Sequence, residues 1–233
     1  MIYDYSKSEV LSDVDGRLCG HMSFLGTARM GKSSTMYKVI VACPDLYARA
    51  KAFNRVPNVL INSLPSDFNA YRVERTSEVR PGDLLINEDA NRIFPARGSG
   101  VDKDLPYFMA TSSHDDILVA STFQSSAGVD FALFNYQDNI VFHKWMNPTA
   151  LQFEREEFRQ PCATANRRIM QAFNHLKVKG QPVRLSDISY VTPYNKILIL
   201  EEFPDWLDMG ISKSLRGERY RMREADTCKE LTS

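Results

Sequence analysis

An α/β fold with a central, mostly parallel sheet flanked by helices is what this sequence predicts, and three observations predict it. Apolar runs of strand length, among them Leu84-Leu85-Ile86 and Ile117-Leu118-Val119-Ala120, alternate with segments of helical length, the pattern of strands joined by crossover helices. These runs are continuous rather than alternating in polarity, as in strands buried on both faces. One of them leads through a glycine turn into a helix-length segment, at Gly26-Thr27-Ala28-Arg29-Met30-Gly31-Lys32-Ser33 with Ser34 behind it.

That turn reads Gly-x-x-x-x-Gly-Lys-Ser, the phosphate-binding P-loop. Its glycines let backbone N–H groups curl around phosphate oxygens, the Lys32 ammonium neutralises charge, and the Ser33 hydroxyl ligates Mg²⁺. Leu18 to Leu25 supplies the strand before it, and Ser33 to Phe53, interrupted by Pro44, the helical segment after it. A strand, a glycine turn and a helix N-terminus make an anion site because unsatisfied N–H groups and the helix dipole face the same point. Residues 26–34 are therefore the expected nucleotide-binding segment.

The next elements follow in order. Residues 1–15 carry Asp4, Glu9, Asp13 and Asp15 and read as an arm or an edge element. Asn58 to Ser63, between Pro57 and Pro65, suits a second strand, and residues 65–80 a polar surface excursion. Arg80-Pro81-Gly82-Asp83 then turns into Leu84-Leu85-Ile86-Asn87-Glu88-Asp89, an apolar strand that delivers carboxylates to the sheet edge. In P-loop ATPases this is the Walker B strand, where one acid supports the Mg²⁺ shell and a neighbouring glutamate polarises the attacking water. Glu88 is the candidate base. Asn87 stands at the metal-side position, where it can hold a metal-bound water but brings no charge. Adjacent strand residues point to opposite faces, so Glu88 and Asp89 reach the phosphates together only across a bend.

Asn91 to Gly100 forms a loop with Arg92 and Arg97, compatible with reaching a neighbour or nucleic acid and equally with an open surface loop. A helix is expected over 102–113 with Leu105, Phe108 and Met109 on one face. The strand from Asp115 to Thr122 runs into Gln124, placed either to sense a γ-phosphate or to stabilise a turn. A short helix near Val129 to Phe134 and a strand from Asn139 to Trp145 follow. Residues 149–176 read as helix broken at Pro161, with Arg155, Arg159, Arg167 and Arg168 exposed; such a row serves DNA phosphates or simply solvates a helix. Strands at Val183 to Thr192 and Asn195 to Glu202, a short helix with Trp206 and a basic tail at 216–223 complete the chain.

Composition excludes several classes. With 233 residues, 43% hydrophobic and 25% charged, the chain suits one packed domain: an arm at 1–15, a nucleotide-binding core at 16–146 and a C-terminal elaboration at 147–233. The 29 basic and 29 acidic residues cancel, so any DNA contact needs charge that is local or assembled by several subunits. Four dispersed cysteines make no Cys-x-x-Cys pair, which argues against a zinc site or disulfide scaffold. Residues 1–7 do not resemble a signal peptide, no apolar run reaches a membrane-spanning length, and a cytoplasmic protein is expected.

On the P-loop, the Leu-Leu-Ile-Asn-Glu-Asp strand, the Arg92-Ile93-Phe94-Pro95-Ala96-Arg97 loop and the strand ending Ser121-Thr122-Phe123-Gln124, the chain resembles the FtsK/HerA superfamily of P-loop ATPases. Within it, residues 16–146 look like the viral genome-packaging ATPases and the zonula occludens toxin-like phage assembly proteins. The resemblance implies a RecA-like P-loop NTPase domain forming a ring, a hexamer, with ATP between subunits and double-stranded DNA in the channel. It implies Lys32 and the loop amides on the phosphates, Ser33 on Mg²⁺, Glu88 activating water, Gln124 coupling the γ-phosphate to movement, and an arginine from the next subunit, Arg97 ahead of Arg92. A capsid, portal or membrane protein is the further partner implied, and host cytoplasm or a packaging vertex the place of action. Asn87 departs from the family's Asp-Glu pair. An assembly or secretion ATPase and a nucleotide-binding structural protein with little turnover are the competing readings.

Overall fold

The computed structural model describes residues 7–17, 19–55, 70–71, 73, 75–97, 103–134 and 139–200. Its centre is an eight-stranded sheet of strands β1 (Gly20–Leu25), β2 (Asn54–Arg55), β3 (Ala70–Tyr71), β4 (Leu84–Asn87), β5 (Leu118–Phe123), β6 (Asn139–His143), β7 (Ile188–Thr192) and β8 (Lys196–Ile199), in the order β3-β2-β4-β5-β1-β6-β7-β8. The first six in that order are mutually parallel, and β7 and β8 add an antiparallel hairpin beside β6. The fold class is the one expected, an α/β fold with a central, mostly parallel sheet flanked by helices.

Strand order determines what meets at the carboxyl edge. β5 lies between β1 and β4, so its last residues stand between the glycine loop that follows β1 and the acidic turn that follows β4. In open parallel sheets that edge is where ligands bind.

The period-2 geometry of strands separates two cores. Met22, Phe24, Leu84, Ile86, Leu118, Ala120, Ile140 and Phe142 face helices α1 (Lys7–Asp15), α2 (Lys32–Ala42) and α3 (Pro44–Phe53), where Met36, Tyr37, Val39 and Ile40 are buried. Phe24 stacks on Phe142 with ring centroids 4.6 Å apart. On the opposite face Leu25, Leu85, Val119 and Phe123 meet α5 (Leu105–Thr111) through Leu105, Phe108 and Met109, the three residues expected there. α4 (Ala90–Ile93) and α6 (Pro148–Leu151) are single turns, and α7 (Glu156–Val178) packs Ala165, Ile169, Ala172 and Leu176 against the hairpin.

Several local expectations are revised. The first fifteen residues include a helix, because Val10 and Val14 have a core to join. α7 is not broken at Pro161: the proline sits in its second turn on an exposed side, where the carbonyl left without its N–H partner meets water. The interruption falls at 152–155, between α6 and α7. The segment at 131–133 is one 3₁₀ turn. The strand expected at 58–63, the Trp206 helix and the basic tail lie outside the described residues.

Candidate functional site: the glycine loop and the acidic turn

The glycine loop is held by backbone closeness that only glycine permits. Gly26 donates its N–H to the Phe123 carbonyl at 3.2 Å, and a Cβ there would stand 2.7 Å from the Lys144 Cβ. Gly31 adopts φ +75°, and a Cβ on it would meet the Ser186 carbonyl oxygen at 2.8 Å, so both conformation and space exclude a side chain. Between them, Thr27 anchors the turn: its carbonyl accepts from the Met30 N–H at 3.3 Å, and its hydroxyl oxygen from the Asn147 N–H at 2.7 Å. Ala28 and Arg29 are exposed, Arg29 in the left-handed region at φ 65°.

Gly31 caps α2 without any side-chain hydrogen bond, which leaves the first-turn N–H groups, those of Lys32, Ser33 and Ser34, to an external acceptor. The Lys32 ammonium is folded under the loop and donates to the Thr27 carbonyl at 3.0 Å. Burial pulls its pKa down, against the Asp89 and Glu88 carboxylates, which hold it up. Both acids therefore act on the lysine that the motif reserves for phosphate.

Across the edge, Glu88 accepts the Ser33 hydroxyl at 2.9 Å and the Thr122 hydroxyl at 2.9 Å, both on Oε2. Burial raises its pKa, the two hydroxyl donors lower it, Asp89 raises it and Lys32 lowers it. The Thr122 oxygen also accepts the Asp89 N–H at 2.8 Å. Asp89 turns the chain at φ 57°, and that left-handed residue is the bend that lets consecutive acids serve one site. Its Oδ1 accepts from the Gln124 amide at 3.2 Å. The Gln124 N–H in turn donates to Asn91 Oδ1 at 3.0 Å, and Asn91 Nδ2 to the Ser125 carbonyl at 2.9 Å.

Asn87 does not stand where the sequence placed it. It pairs in register with Ser121 and donates to that hydroxyl at 3.0 Å, fully buried. In β4, Leu84 and Ile86 face α2, so Asn87 faces the other layer, and the residue that returns toward Ser33 is Glu88. Alternation along the strand, read back from Glu88, contains the correction: 87 and 88 cannot share a face.

Thr122, which joins both acids, reads in the sequence only as part of a strand; its signal is a β-branched hydroxyl at the end of a mostly apolar run. Two further residues, Glu154 and Arg155, brace the loop after Gln124. Glu154, buried, accepts the Ser126 N–H at 2.7 Å, and Arg155 donates to the Ser126 and Val129 carbonyls at 2.8 Å each. Arg155 also stands 5.3 Å from the Phe131 ring centroid. It is thus half-buried and committed within the chain, not exposed, and Arg159 donates to the Gln152 and Glu154 carbonyls. Arg159 and Arg167 are exposed as expected, whereas Arg168 is half-buried. Arg97 is exposed at the end of a strap pinned by the Pro95–Val129 bridge and by the Ala96 N–H on the Gly128 carbonyl at 3.3 Å. The Arg92 side chain lies outside the described residues.

Hard oxygen donors of one hydroxyl and one carboxylate, meeting beside a lysine and a helix N-terminus, suit Mg²⁺ and a polyphosphate. Among the described residues there is no group of three or more His, Cys, Asp or Glu side chains able to hold a metal by themselves, so metal binding here would lean on phosphate oxygens and water. Nor is any described helix long and apolar enough to cross a membrane.

No protein-family model and no curated protein matches the chain. Among solved structures, the genome packaging NTPase B204 from Sulfolobus turreted icosahedral virus 2 in complex with AMP is similar at 12% identity, over 81% of this chain and 100% of that one, with a TM-score of 0.49. The same NTPase in complex with ATP-gammaS is similar at 10% identity over 78% and 97% of the two chains, TM-score 0.47. The N-terminal domain of zonular occludens toxin from Neisseria meningitidis is similar at 15% identity over 54% and 78%, TM-score 0.41.

Proposed function

We propose that the chain is an ATPase of the kind that translocates double-stranded DNA, a viral genome-packaging motor working as a ring, with ATP bound at subunit interfaces. The observation that carries the ATPase reading is the Ser33–Glu88 hydrogen bond, which brings the P-loop hydroxyl and the acidic strand end together at 2.9 Å. The motor reading rests on the resemblance of the motif set.

In this reading the first-turn N–H groups and Lys32 hold the β- and γ-phosphates. Ser33 and Glu88 would hold Mg²⁺, which when bound would supply positive charge toward the phosphate oxygens. Glu88 thereby moves from the base to the metal side. Asp89, oriented by Gln124 and by its own N–H on Thr122, accepts a proton from the attacking water, and the γ-phosphoryl group leaves ADP as inorganic phosphate. Thr122 spans both acids, so a shift at one is felt at the other. Arg97 of a neighbouring subunit supplies positive charge to the transferred group.

The test is ATP turnover by the purified oligomer with and without double-stranded DNA, beside Lys32→Ala and Asp89→Asn. The expected result is turnover stimulated by DNA, lost in Lys32→Ala, and reduced about 10²–10⁴-fold in Asp89→Asn with nucleotide binding kept. Turnover indifferent to DNA would exclude packaging, and turnover intact in Lys32→Ala would exclude the site.

A further inference from the structure

Behind the glycine loop, on the side away from the acids, lies a buried group of charges that phosphate chemistry does not require. Lys144 follows β6 and is 2% exposed. Its N–H donates to the Leu25 carbonyl at 2.7 Å, and its Cβ and carbonyl are the atoms against which Gly26 packs. Its ammonium donates to the Thr35 hydroxyl of α2 at 2.9 Å, the Ser186 carbonyl at 2.7 Å and the Ser189 hydroxyl of β7 at 2.9 Å. Ser186 is also the residue whose carbonyl abuts Gly31. One side chain thus touches the loop's first glycine, the first turn of its helix, and the turn that closes over its second glycine.

Lys38, one helical turn beyond Thr35, lies 3.5 Å from Asp187 and donates to the Leu200 carbonyl. The charged groups acting on Lys144 are Lys38 and Lys32 from α2 and Asp187 from the turn before β7, while β7 presents the uncharged Ser189. Lys38 is thus paired with Asp187, and Lys32 is acted on by Glu88 and Asp89 across the loop, while the Lys144 ammonium is hydrogen-bonded to uncharged acceptors in a poorly solvated space beside two other cations.

We propose that Lys144 is a positioning residue that ties the phosphate loop to the C-terminal hairpin and answers the arrival of phosphate charge by taking up a proton. The proposal rests on the nucleotide reading above. Burial, then Lys38, push the Lys144 pKa down to about 7; Asp187 opposes them and Lys32 adds to them. Phosphate oxygens on Lys32 cancel that lysine's repulsion and add attraction of their own, so the pKa of Lys144 rises on binding. Above pH 7 the ammonium is then completed by a proton from solvent, and its three hydrogen bonds tighten the hairpin onto the loop. Below pH 7 the proton is already present and none is taken up.

The experiment is calorimetric titration of the full-length protein with ADP and Mg²⁺, in buffers of differing ionisation enthalpy, at pH 6.3 and pH 8.0. ADP serves because its phosphates have lost their titratable proton at the higher pH. The expected result is an uptake of about half a proton or more per site at pH 8.0, falling toward zero at pH 6.3. In Lys144→Met the uptake at pH 8.0 disappears, and ADP binds about 3–10-fold more weakly. Wild-type binding with no proton uptake at pH 8.0 overturns the proposal whether or not the variant folds, and so does uptake that persists in Lys144→Met. A wild type that binds no ADP at either pH overturns the nucleotide reading itself.

Discussion

Replacing Glu88 with glutamine is expected to make the protein more stable and less active at once. Oε2 of Glu88 receives both hydroxyl bonds, from Ser33 and from Thr122, and a glutamine amide oxygen accepts the same two. The other carboxylate position is not among the buried side-chain atoms that lack a partner, and Glu88 is only half-buried, so the new NH₂ reaches water. What the substitution removes is a desolvated negative charge beside Asp89, whose carboxylate also opposes it. Relief of such a charge with its hydrogen bonds kept is worth about 1–2 kcal/mol. In a chain of 233 residues that raises Tm by about 2–8 °C. The sign follows from linkage: a carboxylate whose folded pKa lies above its unfolded value destabilises the fold once ionised, so the difference between variant and wild type grows as pH rises through the folded pKa and vanishes as pH falls below about 4.5. Thermal denaturation at pH 7.5 and pH 4.5, with ATP turnover measured in parallel, reads both halves. A variant less stable at neutral pH, or one that keeps wild-type turnover and Mg²⁺ requirement, would refute the placement of Glu88 as a desolvated metal-side acid.

Three further outcomes follow from the same geometry. Gly31→Ala must accept φ +75° and a Cβ 2.8 Å from the Ser186 carbonyl, so chemical denaturation should show a loss of about 2–4 kcal/mol, together with weakened ADP binding. His21 and His143, both buried and both with pKa pushed down to about 4 by burial, bind fewer protons folded than unfolded between pH 4 and 6.5. Stability therefore decreases as pH is lowered across that window, by about 3 kcal/mol for each at its lower end, and His143→Gln should remove roughly half of the slope in urea titrations. Thr122→Val loses its hydroxyl contacts to Glu88 and to the Asp89 N–H, and differential scanning calorimetry should show a cost of about 1–3 kcal/mol with turnover reduced.

Much of this protein was legible from local sequence, because its strands are continuous apolar runs and its glycine loop is a contiguous motif. The Gly26–Ser33 spacing, the β4 strand, the break at Pro44 and the buried face of α5 follow from covalent spacing and the periods of helix and strand. The acidic turn was legible in composition and not in assignment. Whether Asn87 or Glu88 meets Ser33 depends on which face of the sheet α2 covers, and whether Asp89 joins it depends on a left-handed residue at φ 57°; neither is a property of the run Asn87-Glu88-Asp89. Likewise the arginines after Leu151 carry no local sign of where they point, and Arg155 is spent on carbonyls 26 and 29 residues away.

What tertiary structure alone decided are the contacts that bridge distant segments. Thr122 reaches Glu88 across 34 residues, and Lys144 reaches Thr35 across 109. Their side chains meet because β5 lies between β1 and β4, with β6 on the other side of β1, an order that no local pattern encodes. A motif can specify a site when its groups come from one turn of chain, as the phosphate loop's do. The acids, the threonine that joins them and the lysine behind the loop lie in or directly after three strands, β4, β5 and β6, and only the packing of those strands around β1 in one sheet brings them within hydrogen-bond reach of the loop and its helix.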